Sequence, residues 1–227
     1  PYEHIRTTSL SGWMDHPLVA ALGDNQQLDL LQFHSYDSDV SRGILTRFAN
    51  IKTKTDLPVM CGEFGKSNLA ETGDEVRRAC WIGYFSHLPS LHWQWDKAIQ
   101  EGWYSYFSGM ASYFGTIDLV SEGNPISYSL SVLSDKTNLS ALGMKTDTGN
   151  FYFYIYSRTF IADISGARLE LENLPFGKYR RTWYDPVNGG ISDPDTIILA
   201  NSYIDLKLPV FSEELAVKLQ FLEEYVH

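Results

Sequence analysis

Short apolar runs alternate with amphipathic stretches through the first half of the chain, and this alternation predicts repeated strand and helix units around a parallel sheet. Four strands are expected: His4 to Ser9, Leu28 to His34, a run ending at Glu63, and Leu91 to Trp95. The third lies in Leu57-Pro-Val-Met-Cys-Gly-Glu-Phe-Gly65, apolar almost without interruption up to its carboxylate, as expected of a strand covered on both faces. Helices are expected between the strands. Asp37 or Ser38 can cap one that runs to about Lys54, with Ile44, Leu45, Phe48 and Ile51 on one face. Thr72 and Glu75 have the spacing of a capping box, in which hydroxyl and carboxylate satisfy free backbone donors ahead of Val76, Ala79, Cys80 and Gly83. A further helix is expected over about Trp103 to Phe114, followed by a turn at Ser121-Glu-Gly-Asn-Pro125.

After about Thr137 the pattern changes to strands and turns. Phe151 to Tyr156, Arg168 to Leu171, Tyr179 to Trp183, Tyr203 to Leu208 and Ala216 to Phe221 are the strand candidates. Their alternation, with turns such as Asn173 to Gly177 and Asp185 to Gly190, predicts a small antiparallel β-sandwich with one face of each sheet buried. Two domains are therefore expected, an α/β part over 1–120 and an all-β part over 138–227, joined by a linker at 121–137. Trp183 and Tyr184 are expected to pack against the first domain, since a Trp in a sandwich strand is usually core.

With 227 residues the chain can bury a proper core. A formal net charge of −10 without a long basic cluster argues against nucleic acid or an anionic membrane as the main partner. No apolar run reaches the roughly 18 residues of a membrane span. Aromatic side chains make up 14% of residues, and their flat apolar faces suit stacking on sugars as well as filling cores. Cys61 and Cys80 have no metal-type spacing, and buried free thiols are expected.

Three neighbouring strand ends carry the residues able to do chemistry. Glu63 sits between Gly62 and Gly65 where the third strand stops, the position at which barrels of parallel strands place reactive side chains. It could equally be a solvated loop residue balanced by Lys66. His34 and Tyr36, two residues apart on the second strand, share one face and can hold and aim a carboxylate nucleophile. Trp93 and Trp95 offer an aromatic shelf, although strand parity alone does not tell which faces a substrate. Asp96 could bind a sugar hydroxyl or cap a loop. Thr8, Ser9 and Ser11 are weaker candidates, and no G-x-S-x-G elbow is present.

Four segments in order, Pro1 to Ser9, Phe33-His-Ser-Tyr36, Pro58-Val-Met-Cys-Gly-Glu-Phe-Gly65 and His92-Trp-Gln-Trp-Asp96, resemble strands five to eight of a clan A glycoside hydrolase barrel of the family 5, cellulase-like type. Gly102 to Phe114 resembles the last barrel helix, and Leu174 to Pro186 the β-sandwich that often follows such barrels. The resemblance implies the C-terminal half of a (β/α)8 barrel over 1–120, then the sandwich. It implies a retaining glycoside hydrolase acting on a β-linked polysaccharide or oligosaccharide, with Glu63 as nucleophile. His34 and Tyr36 would bind nucleophile and sugar, Trp95 would stack under the sugar, and Trp93 and Asp96 would be lesser substrate-binding residues. No cofactor and no metal is expected, and the localisation expected is secreted or periplasmic, of bacterial type.

One element of that chemistry is missing. Retaining hydrolysis uses a second carboxyl about 5–5.5 Å from the first, and in the family it follows an Asn at the end of strand four. No Asn-Glu pair occurs here, and Glu3 precedes the first strand. A complete barrel takes around 250 residues, so the chain is expected to need an N-terminal barrel half as its partner and, alone, to be inactive and poorly soluble or oligomeric. Two other classes remain open: a non-catalytic carbohydrate-binding or scaffold protein with a degenerate barrel, and a metal-dependent barrel enzyme, for which His34, Glu63 and Asp96 are few ligands.

Overall fold

The computed structural model describes residues 4–10, 17–24, 27–67, 71–135, 138–159 and 161–224, so Glu3 and Ser11 lie outside the described residues. The chain forms two compact units, 1–104 and 105–227.

In the first unit strands and helices alternate: β1 (Thr7–Leu10), α1 (Pro17–Gly23), β2 (Leu30–Ser35), α2 (Val40–Lys52), β3 (Val59–Phe64), α3 (Gly73–Phe85), β4 (Ser90–His92) and α4 (Trp95–Gln100). The strands make one parallel sheet in the order β1-β2-β3-β4, with α1, α2 and α3 as the crossovers that parallel neighbours require. The expected capping box is present, Thr72 and Glu75 each accepting from the other's backbone N–H. Helix α2 is capped by Asp39, whose carboxylate accepts from Arg42 N at 3.1 Å. Asp37 is occupied elsewhere, accepting from Ser35 Oγ at 2.8 Å and Arg47 Nε at 2.9 Å.

Period-two alternation gives the sheet two unlike faces. Leu31, Phe33, Val59, Cys61 and Phe64 are buried, as are Ile44 and Ile51 of α2 and Val76, Ala79 and Ile82 of α3; these two helices pack against each other and against the sheet. Gln32, His34, Met60 and Glu63 are only half-buried. The expectation that β3 is covered on both faces therefore gives way to an apolar face and a polar one. The fourth strand is shorter than expected, ending at His92, and Trp95 opens α4 instead of closing a strand.

In the second unit α5 (Tyr104–Phe114), which begins at the division, and α6 (Leu119–Glu122) precede, among the described residues, nine strands: β5 (Ile126–Tyr128), β6 (Ser131–Leu133), β7 (Leu139–Lys145), β8 (Phe151–Ser157), β9 (Arg168–Glu172), β10 (Gly177–Tyr184), β11 (Asp195–Leu199), β12 (Tyr203–Lys207) and β13 (Glu214–Glu224). Part of the turn expected after α5 is helical, because Asp118 accepts from Val120 and Ser121 N and starts α6. The strands pair antiparallel as β11-β10-β13-β8-β7-β5 and β12-β9-β6, and both sheets contribute to one apolar core. Trp183 packs against that core, with the Arg181 guanidinium 5.2 Å from its ring.

The other face of the six-stranded sheet is also sealed. Lys218 of β13 is 1% exposed and donates to Tyr113 O at 2.5 Å and to Thr116 Oγ1, just past the end of α5. Its ammonium lies 4.3 Å from the Tyr113 ring and 4.9 Å from that of Tyr184. Nearby, Tyr152 Oη donates to Glu122 at 2.5 Å. Cys61 and Cys80 are buried free thiols. Among the described residues no helix is long and apolar enough to cross a membrane.

Candidate active site

All four strands of the parallel sheet end at one edge, and side chains from β1, β2 and β3 meet on its polar face there. In β3 the register steps from Phe33↔Cys61 to His34↔Glu63, which leaves Gly62 as the extra residue of a β-bulge. Without it, Glu63 would share the face of Cys61, turned toward the helices. The bulge rotates the carboxylate onto the face of His34, while Phe64 returns to the buried side. Gly62 is suited to the position because a Cβ there would run into the Gln32 side chain. The glycines around Glu63 are thus explained by a bulge and close packing.

Tyr36 Oη donates to Glu63 Oε2. His34 Nδ1 stands 3.1 Å from Tyr36 Oη and 3.5 Å from the same carboxylate oxygen. The other ring nitrogen of His34, Nε2, lies 2.8 Å from Ser9 Oγ and 3.3 Å from Gln32 Nε2. Burial first, then the hydrogen bond to Glu63 and its charge, push the Tyr36 phenol up to about 12. The phenol therefore keeps its proton at neutral pH and remains a donor. Glu63 itself is 41% exposed, and its Oε1 has no hydrogen-bond partner among the described residues. One carboxylate oxygen is held while the other makes no hydrogen bond to the described residues, an arrangement suited to a nucleophile. Lys66 does not balance Glu63 but pairs with Glu75 at 2.6 Å. Cys61 is no competing nucleophile, since burial pushes its thiol up to about 12 and its Sγ donates to the Glu63 carbonyl at 3.2 Å.

Trp93 closes one side of this group, its ring meeting Tyr36 edge-on at 5.5 Å and 77°. It comes so close to the backbone at Gly65 that any Cβ there would run into the indole. Behind it lies a pair that the sequence did not reveal. His92 Nε2 and Glu71 Oε1 are 2.9 Å apart, with side chains 3% and 0% exposed. Glu71 Oε2 accepts from Lys66 N at 2.7 Å, its backbone carbonyl accepts from Lys97 Nζ at 3.0 Å, and Gln94 Nε2 donates to Lys66 O at 3.1 Å. These bonds tie the segment after β3 to β4 and α4.

The structure therefore joins Glu63, His34, Tyr36 and Trp93, brings in Ser9, a weaker candidate in the sequence, and adds Gln32. It leaves Trp95 and Asp96 in the first turn of α4, both exposed, Trp95 at 69%, outside the contacts of the Glu63 group. Gln32 could have been found from its parity with His34, and the bulge from a glycine inside a strand. Nothing in residue spacing indicates the Glu71–His92 pair. Among the described residues no group of three or more His, Cys, Asp or Glu is placed to hold a metal ion.

Solved structures similar to this chain in fold include glycoside hydrolases. A family 5 glycoside hydrolase from Bacteroides vulgatus ATCC 8482 superposes with a TM-score of 0.61 at 12% identity, over 96% of this chain and 55% of its own. Another glycoside hydrolase gives 0.60 at 13% identity, over 89% and 55%. A family 44 xyloglucanase from Paenibacillus polymyxa gives 0.50 at 11%, over 90% and 49%. The chain thus spans about half the length of the solved structures it matches. No family model and no curated protein matches its sequence.

Proposed function

We propose that this chain is the nucleophile-bearing part of a retaining glycoside hydrolase that acts on a β-linked polysaccharide or oligosaccharide. The observation that carries the proposal is Glu63 at a parallel-strand end, one oxygen held by Tyr36 with His34 3.5 Å away and the other without a hydrogen-bond partner among the described residues, within a fold shared with glycoside hydrolases. The free oxygen of Glu63 attacks the anomeric carbon, and the bond to the leaving oxygen breaks as a second carboxyl protonates it. Water then attacks the same carbon, gives its proton to that second group and releases Glu63 from the glycosyl ester. Trp93 lines the sugar site next to Tyr36. The second carboxyl belongs to the barrel half proposed above, which pairs with the edge strands β1 and β4.

The experiment is hydrolysis of a β-glucan oligosaccharide by a protein in which this chain is joined to its complementary barrel half. Glu63→Gln is expected to abolish turnover while oligosaccharide affinity stays within about threefold. Undiminished turnover would remove Glu63 from the role. A non-catalytic carbohydrate-binding role is the second reading, favoured by the single carboxylate in the described Glu63 group. Saturable binding without turnover in the joined protein would select it.

A further inference from the structure

Four hydrogen-bonding groups stand in line on the polar face of the sheet: Ser9 Oγ, the His34 ring, Tyr36 Oη and Glu63 Oε2. The order of their protons follows from counting donors. Tyr36 has one hydroxyl proton, and it goes to the carboxylate. Its oxygen then faces His34 Nδ1, 3.1 Å away, with lone pairs only. A bond forms there only if Nδ1 carries a proton. At the other side of the ring, Nε2 faces the Ser9 hydroxyl at 2.8 Å, which can donate or accept, and the amide nitrogen of Gln32 at 3.3 Å, which can only donate. A proton on Nε2 would confront the Gln32 amide donor and leave Nδ1 and Tyr36 Oη as two facing acceptors. With the Gln32 amide nitrogen turned to the ring, the Nδ1–H tautomer satisfies every contact in the line and the Nε2–H tautomer does not.

We propose that Ser9, assisted by Gln32, is a positioning residue that holds His34 in its Nδ1–H tautomer and so directs each donor in the line toward Glu63. Ser9 touches neither the carboxylate nor the proposed sugar; it acts through the ring. The bond from His34 occupies the phenol oxygen of Tyr36 and leaves the phenol proton for Glu63. Polarisation along such a chain strengthens the last bond, the one that holds the nucleophile. β1, a short edge strand, thereby gains a part in the chemistry of β3, two strands away. The inference rests on Glu63 being the nucleophile for its catalytic meaning, but the tautomer can be measured without any turnover.

The test is a long-range proton–nitrogen correlation spectrum of the full chain labelled with ¹⁵N-histidine, with His34 assigned by the peaks that vanish in His34→Asn. In the wild type the proton is expected on Nδ1, with Nε2 unprotonated. Ser9→Ala is expected to move the tautomer ratio toward Nε2–H by about fivefold, and Ser9→Thr, which keeps the hydroxyl, to restore it. The buried His92 ring reports folding in the same spectra. A wild-type proton on Nε2 would overturn the proposal whatever the variants do, and so would an unchanged ratio in a folded Ser9→Ala chain. An Nδ1–H ring beside a Glu63 that forms no glycosyl ester would sink the proposed function and leave the role of Ser9 in place.

Discussion

Glu63 and Lys218 are both charged residues beside tyrosines and hydroxyls, one in each unit, and the two surroundings put those groups to opposite uses. The Lys218 ammonium is sealed, with a carbonyl, a hydroxyl and two aromatic rings around it. Such a group binds α5 to the six-stranded sheet and has no room for a ligand. Glu63 is held on one oxygen only and is 41% exposed. Enclosure by two acceptors and two rings makes the first group structural, and the unbonded oxygen leaves the second available for the chemistry proposed for it.

Changes that break this contrast differ in size. Glu63→Gln removes the proposed nucleophile and is expected to lower turnover of the joined protein on the order of 10⁴-fold, read as initial rate of reducing-sugar release. Next comes Tyr36→Phe, which deletes one donor from the proposed nucleophile. A loss of about 10²-fold in kcat with little change in KM is expected. An equal loss in a variant of exposed Tyr104 would show that the effect is not specific to the site.

The Lys218 side of the comparison has a pH signature. Burial lowers its ammonium from 10.5 to about 8, with the charge of Glu122 opposing the shift. Above pH 8 the folded chain sheds this proton while the unfolded chain still holds it, so this residue makes stability rise with pH. Its contribution between pH 7 and 9.5 is expected to be about 2 kcal/mol, read as the difference between wild type and variant, in which the titrating cysteines and tyrosines cancel. Urea unfolding of the wild type and Lys218→Met, compared at both pH values, measures it. A rise of equal size in both proteins would assign it elsewhere. The smallest effect is that of Thr72→Ala, which breaks the capping box of α3 and is expected to lower stability by about 1 kcal/mol in the same assay.

Local chemistry explains what was legible in the sequence. Thr72 and Glu75 announce a helix start because both bonds are made within four residues. His34 and Tyr36 point to one face because strands alternate. Glu63 joins them only through the Gly62 bulge, visible as a register step between two strands and not as a spacing within one. The resemblance implied Trp95 at the site, and strand parity could not separate it from Trp93; β4 stops at His92, Trp95 opens α4, and Trp93 meets Tyr36. Glu71 reaches His92 across 21 residues, and Lys218 reaches Tyr113 across 105. Pairings at such separations are set by packing and leave no local pattern to read.

The most direct measurement is to trap the glycosyl ester. The joined protein is incubated with a 2-deoxy-2-fluoro-β-glycoside bearing a good leaving group, and the peptide containing Glu63 is weighed by mass spectrometry. The expected result is one added fluoroglycosyl group on Glu63, absent in Glu63→Gln. Turnover of substrate with the label on another carboxylate, or with no covalent label, would contradict the account.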